Sequence, residues 1–347
     1  DRIQNIEDFS SDPESFIQKY NNRVIFDEAQ LVPELFNYIK LMIDKDRQNY
    51  GNYVLTGSSQ FSMVKGITET LAGRAGNICL LPFQYTEVPE KQKKGQLLFG
   101  SYPEIVLRGY KGVLEWYESY IQNYLERDVR NLSNIGNLRD FKRFINLLAA
   151  NTSQEFNASS YANDIGVNYK TIQAWLSILE ASYIIFTVEP YFHNFGKRIV
   201  KRPKVYFWDT GLVCYLTGIR TRELFEKGPL CGPIFENYVV SEIIKDIRHN
   251  NKDIKLFYFR SNLGRESDLI IEDRANRKII FSEIKYNKTA RPKMVEHIKI
   301  LLEKERQYQV HTGYDISGLL LYNGDREGSY FGSVSYMPWS TFLKKKM

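Results

Sequence analysis

Two groups of charged residues in this chain have the types and spacing of a chemical site. The first is Arg23-Val24-Ile25-Phe26-Asp27-Glu28-Ala29-Gln30, where three apolar residues run straight into two adjacent carboxylates. An apolar run that short, bounded by charge, reads as a buried parallel strand. Its carboxyl end is where open α/β sheets bind ligands. Asp27 could hold a magnesium ion through water there, and Glu28 could orient a water for attack on a phosphate. The same residues also fit a strand followed by an acidic helix N-terminus. The second group lies far down the chain. Residues 278–285 read as a strand, on which positions i and i+2 share a face, so Glu283 and Lys285 point the same way. Asp268 opens the strand before it, and Glu236 lies on an amphipathic helix upstream.

The elements around the first group alternate. Asp12-Pro13-Glu14 predicts a helix start, with Pro13 at the first helical position. The Val24–Phe26 strand follows. Residues 30–44 carry Leu35, Ile39, Met42 and Ile43 at helical spacing. Tyr53-Val54-Leu55 predicts a second strand that ends in Thr56-Gly57-Ser58-Ser59-Gln60. Those hydroxyls could face a γ-phosphate, or could cap the next helix. Ile78-Cys79-Leu80-Leu81 predicts a third strand, closed by Pro82. Helix, strand, helix, strand, helix, strand is the order of a parallel α/β sheet.

The bulk numbers exclude several classes. The chain has 347 residues, enough for two or three domains. It is 43% hydrophobic and 25% charged, so it can build real cores. With 24 Tyr and 21 Phe, aromatic rings must carry much of the packing. A net charge of +6 favours an anionic partner. Cys79, Cys214 and Cys231 are scattered and odd in number, which fits a reducing cytoplasm better than a disulfide framework. The four histidines are dispersed, without zinc or triad spacing. No apolar run approaches the ~20 residues of a membrane span, and no signal peptide is visible.

Val24-Ile25-Phe26-Asp27-Glu28-Ala29-Gln30 resembles the Walker B strand of AAA+ ATPases, and Leu55-Thr56-Gly57-Ser58-Ser59 resembles their sensor-1 strand. Leu71-Ala72-Gly73-Arg74, then Leu81-Pro82-Phe83 and Glu87, resembles one prokaryotic group in particular, the AAA-type ATPases joined to a C-terminal domain of unknown function numbered 4143. The resemblance implies ATP and Mg²⁺ as cofactors. It implies Asp27 at the metal, Glu28 as the catalytic carboxylate, Ser58 and Ser59 near the nucleotide, and Arg74 in the same set. That family opens with a strand and a phosphate-cradling loop ending in Gly-Lys-Thr or Gly-Lys-Ser. No G-x-x-x-x-G-K-[ST] occurs here. The expectation is a fragment or natural truncation, with a βα unit of ~30–50 residues ahead of Asp1.

The expected division is 1–90 for the partial ATPase core, 91–215 for a helical and winged-helix region, and 216–347 for the last domain. Glu90-Lys91-Gln92-Lys93-Lys94-Gly95 is a charged linker. Residues 114–132 predict a long amphipathic helix. In the middle region, residues 157–167 and 168–179 read as helix, Gly turn, N-cap and second helix, the helix-turn-helix pattern. Residues 183–188 and 205–208 predict a strand pair that would make it winged. Lys197, Arg198, Lys201, Arg202 and Lys204 would lie between them, suited to a phosphate backbone, with Lys170 on the second helix. Winged helices also serve as protein–protein modules.

Asp268, then Glu283-x-Lys285 on a neighbouring strand, with Glu236 on the preceding helix, resembles the PD-(D/E)xK nuclease core. In that chemistry Asp268 and Glu283 hold Mg²⁺, Lys285 activates water and Glu236 is the outer helix acid. An inactive descendant of the fold, or a structural ion pair between Lys285 and Asp268, fits the same residues. Three functions therefore stand: an AAA-type ATPase coupled to a winged-helix, nuclease-like half acting on DNA; a non-catalytic module binding DNA or protein, with a second copy of the chain as another expected partner; and a magnesium-dependent nuclease.

Overall fold

The computed structural model describes residues 3–57, 70–125, 137–191, 202–261 and 265–345, without the side chains of 123–125 and 305–312. The chain divides into two units, Asp1–Leu80 and Leu81–Met347.

The first unit opens with helices α1 (Ile3–Ser11) and α2 (Pro13–Lys19). Asp12 caps α2 by accepting from the Ser15 backbone N–H at 3.1 Å, and Pro13 begins the helix. Strand β1 (Val24–Phe26) pairs in parallel with β2 (Tyr53–Leu55), with Ile25 opposite Val54. A parallel pair needs a crossover, and α3 (Glu34–Lys45) supplies it. A 3₁₀ turn over Ala29–Leu31 separates β1 from α3, which starts only after Pro33. Phe9, Ile17, Leu35, Phe36 and Ile39 form the core beneath the sheet. The third strand expected at residues 78–81 is not formed. Ile78 and Leu80 are 85% and 90% exposed, and no neighbouring strand offers them a ladder among the described residues.

The second unit begins with α4 (Lys93–Phe99), α5 (Pro103–Leu107) and α6 (Val113–Ser119). The long helix expected over 114–132 stops being α-helical at Ser119 and continues as a π-turn over Tyr120–Leu125. Helices α7 (Leu138–Ala150), α8 (Ala158–Ile165) and α9 (Tyr169–Ala181) then pack together. Gly166, at φ 85°, makes the left-handed turn between α8 and α9 that a side chain would strain. Asn168 caps α9 by accepting from the Lys170 N–H at 2.8 Å. Phe141, Phe144, Ile165, Ile172 and Trp175 interlock in the shared core.

Strands β3 (Ile185–Pro190) and β4 (Lys204–Phe207) are antiparallel, as expected of a wing. They are not a free hairpin, however. β3 also pairs in parallel with β5 (Ile254–Arg260), so β4 and β3 form one edge of an eight-stranded sheet. The reason is burial: every residue of β4 is buried. Helices α10 (Thr210–Leu216), α11 (Arg222–Lys227) and α12 (Cys231–His249) follow. β5 then meets β6 (Glu266–Asp273), and β6 meets β7 (Lys278–Lys285), both antiparallel. α13 (Glu296–Thr312) crosses over to β8 (Asp315–Tyr322), parallel to β7. Short β9 (Gly328–Tyr330) and β10 (Val334–Pro338) complete the sheet, and α14 (Trp339–Lys344) closes the chain. The strand order is β4-β3-β5-β6-β7-β8-β10-β9. The boundaries expected near residues 90 and 215 lie inside this one unit.

Candidate functional site

In the first unit the two expected acids stand at the carboxyl end of β1. The Thr56 hydroxyl, at the matching end of β2, donates a hydrogen bond to Asp27, 29 residues away. The parallel register that places Phe26 opposite Leu55 brings these ends together. Glu28 sits in the left-handed region at φ 53°, and its carboxylate accepts from the Gln30 amide. A non-glycine residue held there is uncommon and marks a turn that re-aims a side chain. Below the pair lies a cavity of about 200 Å³ bordered by Phe9, Phe16, Phe26, Asp27 and Glu28. Arg74 is turned elsewhere, to Asp44 on α3, at 2.8 Å and 3.0 Å. That hydrogen bond, more than the neighbouring Arg47, holds the Asp44 carboxyl down at about 2. Ser58 and Ser59 lie outside the described residues. Asp27 and Glu28 are oxygen donors of the kind Mg²⁺ takes, and Thr56 orients the first of them.

In the second unit four of the expected residues come together. Asp268 and Glu283 lie on β6 and β7, just beyond the paired Leu269 and Ser282. Lys285 Nζ is 2.5 Å from Glu283 Oε1 and 3.6 Å from Asp268 Oδ2. Asp268 Oδ2 also accepts from the Ile284 N–H at 2.9 Å. Glu236, on α12, accepts from the Tyr206 hydroxyl at 2.8 Å. Lys204 corrects the expectation of a basic wing. It is 3% exposed, and its ammonium lies 3.0 Å from Glu236 Oε1, so it cannot reach a nucleic-acid backbone. β4 carries it inward because the whole strand is covered. Sequence spacing placed it beside Arg202, which is exposed. Lys197, Arg198 and Lys201 lie outside the described residues. Lys170 is exposed on α9, beside Tyr169 and Gln173.

The electrostatics follow from burial. Burial pushes the Glu236 carboxyl up to about 7, and the Asp268 charge adds to this against Lys204. Burial and then Asp268 push Glu283 up to about 8, although Lys285 touches it. For both lysines burial opposes the charge, yet the surrounding carboxylates outweigh it and raise their pKa. Both ends of the Lys285–Glu283 pair thus move upward. The cluster holds more carboxylates than ammonium groups, so a proton is retained on an acid and none leaves a lysine. Asp268 and Glu283, the pair expected at a divalent ion, both face Lys285. No three His, Cys, Asp or Glu side chains are grouped to ligate one among the described residues. Lysines hold the carboxylate oxygens instead.

A third polar cluster was not expected from the sequence. Glu242 and Lys245 on α12 are fully buried and pair at 3.0 Å. Glu242 also accepts from the Tyr85 N–H, and from Gln96 Nε2 at 3.3 Å. Lys245 donates to the Phe83 carbonyl at 3.3 Å. This strap of residues 83–85 is thereby tied to the middle of α12. The sequence signal is a charged i, i+3 pair flanked by the apolar residues Val239, Val240, Ile243 and Ile244.

Comparison with known proteins agrees with the two ends of this picture. Residues 1–89 match the family model of an AAA domain, and residues 231–341 match that of a domain of unknown function, DUF4143. The chain carries an AAA domain and, at its C-terminal end, DUF4143. Between them, residues 90–223 match a second domain of unknown function, DUF8612. Uncharacterized proteins of Mycobacterium bovis and Mycobacterium tuberculosis are each 27% identical over 263 residues, which is 76% of this chain and 58% of theirs. An uncharacterized protein of Methanocaldococcus jannaschii is 23% identical over 216 residues, 55% of this chain and 48% of that one. The chain spans about half the length of the curated relatives it matches. No solved structure matches it. The AAA match runs past the first unit. Its last residues, 81–89, are seated in the second unit, and Glu242 and Lys245 of DUF4143 hold them there. No helix among the described residues is long and apolar enough to cross a membrane.

Proposed function

We propose that the AAA domain works as a magnesium-dependent ATPase and that the DUF4143 end is a PD-(D/E)xK-like fold used to bind DNA rather than to cut it. The observation that carries the first part is the Thr56–Asp27 hydrogen bond. It joins a carboxylate at one strand end to a hydroxyl at the end of its parallel neighbour. Such a pair suits a metal-facing acid fixed by the strand that senses the phosphate. When bound, Mg²⁺–ATP would supply the phosphoryl group and the metal charge. Asp27 would orient metal-bound water, and Glu28 would accept a proton from the attacking water. The test is ATP turnover by the full-length protein, including any phosphate-binding loop ahead of Asp1, and by its Glu28→Gln variant. Loss of a positioned general base costs ~10²–10⁴-fold in turnover, with ATP binding retained. Unchanged turnover would refute the assignment.

For the DUF4143 end, the observation favouring binding is the pairing of its carboxylates with Lys204 and Lys285. Beside it, in the DUF8612 match, the exposed outer face of α9, with Tyr169, Lys170 and Gln173, suits a helix laid in the major groove. Plasmid cleavage in Mg²⁺ or Mn²⁺ that disappears in Asp268→Ala with Glu283→Ala would overturn the binding reading in favour of a nuclease.

A further inference from the structure

Residue pairs that are neighbours in the sequence serve two different places in the second unit. On α12, Glu236 joins the acid cluster while Phe235 faces an aromatic cavity. On and just after β7, Lys285 joins the same cluster while Tyr286 lines that cavity. The cavity measures about 440 Å³, within the ~300–1,000 Å³ of small-molecule sites. It lies at the seam of the three family matches. Residues 85–99 border one side, Arg222 and Phe225 another, and DUF4143 the rest.

Its walls are of two kinds. Rings of Tyr85, Tyr286 and Trp339 are half-buried, each leaving surface open. Phe235 and Tyr238 back Trp339, edge to face, with centroids at 6.5 Å and 5.0 Å. Rings so supported cannot fold flat when a ligand arrives. The charged residues are Lys93, Lys94, Arg222 and Lys288 against the single acid Glu90. Lys93 already pairs with Glu90 at 2.7 Å, and Arg222 with Glu226 at 2.8 Å. Lys94 and Lys288 are exposed and have no ion pair among the described residues. The Asn323 side chain adds a neutral donor and acceptor to the lining.

We propose that this cavity binds a nucleoside phosphate, with the base against Trp339 and the phosphate held by Lys94 and Lys288. A planar ring with an attached anion matches both walls. Base–aromatic stacking tolerates any base, and lysines hold phosphate as point charges. The unit can come from a free mononucleotide or from a single strand. The site is independent of the acid pair at β1, which the ATPase proposal uses.

The test uses the whole chain carrying Asp27→Asn, so that a nucleotide site at β1 does not contribute. Binding of adenosine 5′-monophosphate is measured by calorimetry, beside adenosine, inorganic phosphate and a ten-residue oligothymidylate. The expected order is the monophosphate above adenosine and above phosphate alone. Lys94→Ala with Lys288→Ala weakens it about tenfold without touching a packed residue. Trp339→Leu weakens it by a similar factor. Displacement of the monophosphate by the oligonucleotide identifies a single strand as the source, and failure to displace identifies the free nucleotide. No binding at millimolar monophosphate or oligonucleotide overturns the proposal, as does binding that the lysine variant leaves unchanged. An acidic aromatic peptide that binds where the monophosphate does not would make it a peptide site. ATP turnover by the chain with Asp27 intact reads the other proposal separately.

Discussion

The Lys285 ammonium lies 2.5 Å from the Glu283 carboxylate, two residues back on the same strand. The strand's period of two sets this contact, and the neighbouring Asp268 then makes it a cluster of two acids and one base. Burial and the Asp268 charge hold Glu283 near 8. In the unfolded chain it titrates near its ordinary 4.5. Between these values the folded state keeps a proton that the unfolded state has released. Stability therefore falls as pH rises through that window. Glu236, held near 7, adds to the same slope. Lys204 and Lys285 change their contribution only above the ordinary lysine value of 10.5. Melting temperature is expected to fall between pH 5 and pH 8, and Glu283→Gln should flatten that fall. An unaltered slope in the variant would remove Glu283 as its source.

Glu242 and Lys245 form a buried pair whose separation should be costly. Lys245→Met leaves a carboxylate without its cation in the interior, an effect of ~3–5 kcal/mol. Changing both, to Lys245→Met with Glu242→Leu, removes the charge with its partner and should recover much of that loss. Urea unfolding of the two variants measures the difference.

Gly211, in α10, has no room for a methyl group. A Cβ there would lie 2.3 Å from the Tyr117 hydroxyl and 2.4 Å from the Gly100 backbone nitrogen. The crowding is fixed by Asp209, which accepts from Tyr117 and from the Ser101 N–H, both at 2.6 Å. Gly211→Ala should destabilise the second unit by ~1–3 kcal/mol or more, because backbone has to shift. A midpoint of denaturation equal to that of the unsubstituted protein would contradict this packing.

DNA affinity should separate the basic residues by exposure. Lys170→Ala and Arg202→Ala should each weaken binding and lower the salt dependence by about one phosphate contact. Lys204→Met should leave the salt dependence alone, since Lys204 faces Glu236. Fluorescence anisotropy against salt concentration shows whether the slope follows burial.

Arg74 offers a local pH probe. Its hydrogen bonds keep the Asp44 carboxyl near 2, so the interaction stabilises the fold above the ordinary value of 3.8 and is lost as pH falls toward 2. In Arg74→Ala the Asp44 resonance should titrate closer to 3.8. The pair is on the surface, and salt should weaken it. An unmoved resonance would show that the contact does not persist in solution.

The local pattern of the chain determined much of what is seen. Short apolar runs ending in polar or charged residues predicted β1, β2, β6 and β7, because a strand's period and its polar ends are written in consecutive residues. Gly166 and Asn168 marked the turn between α8 and α9, since only certain residues take those backbone angles or cap a helix. The AAA and DUF4143 ends were legible from short motifs for the same reason. The spacing of Glu283 and Lys285 was enough to put them on one face. Tertiary structure decided the rest. Whether residues 78–81 became a strand depended on a partner edge, which local sequence does not encode. Whether Lys204 met solvent or Glu236 depended on β3 pairing with β5, more than sixty residues further along. The aromatic cavity has no sequence signature, because its rings come from five separate stretches that only the folded sheet and α12 bring together. Long-range pairing and burial set the charge state and reach of each side chain, and those are properties of neighbours in space rather than in sequence.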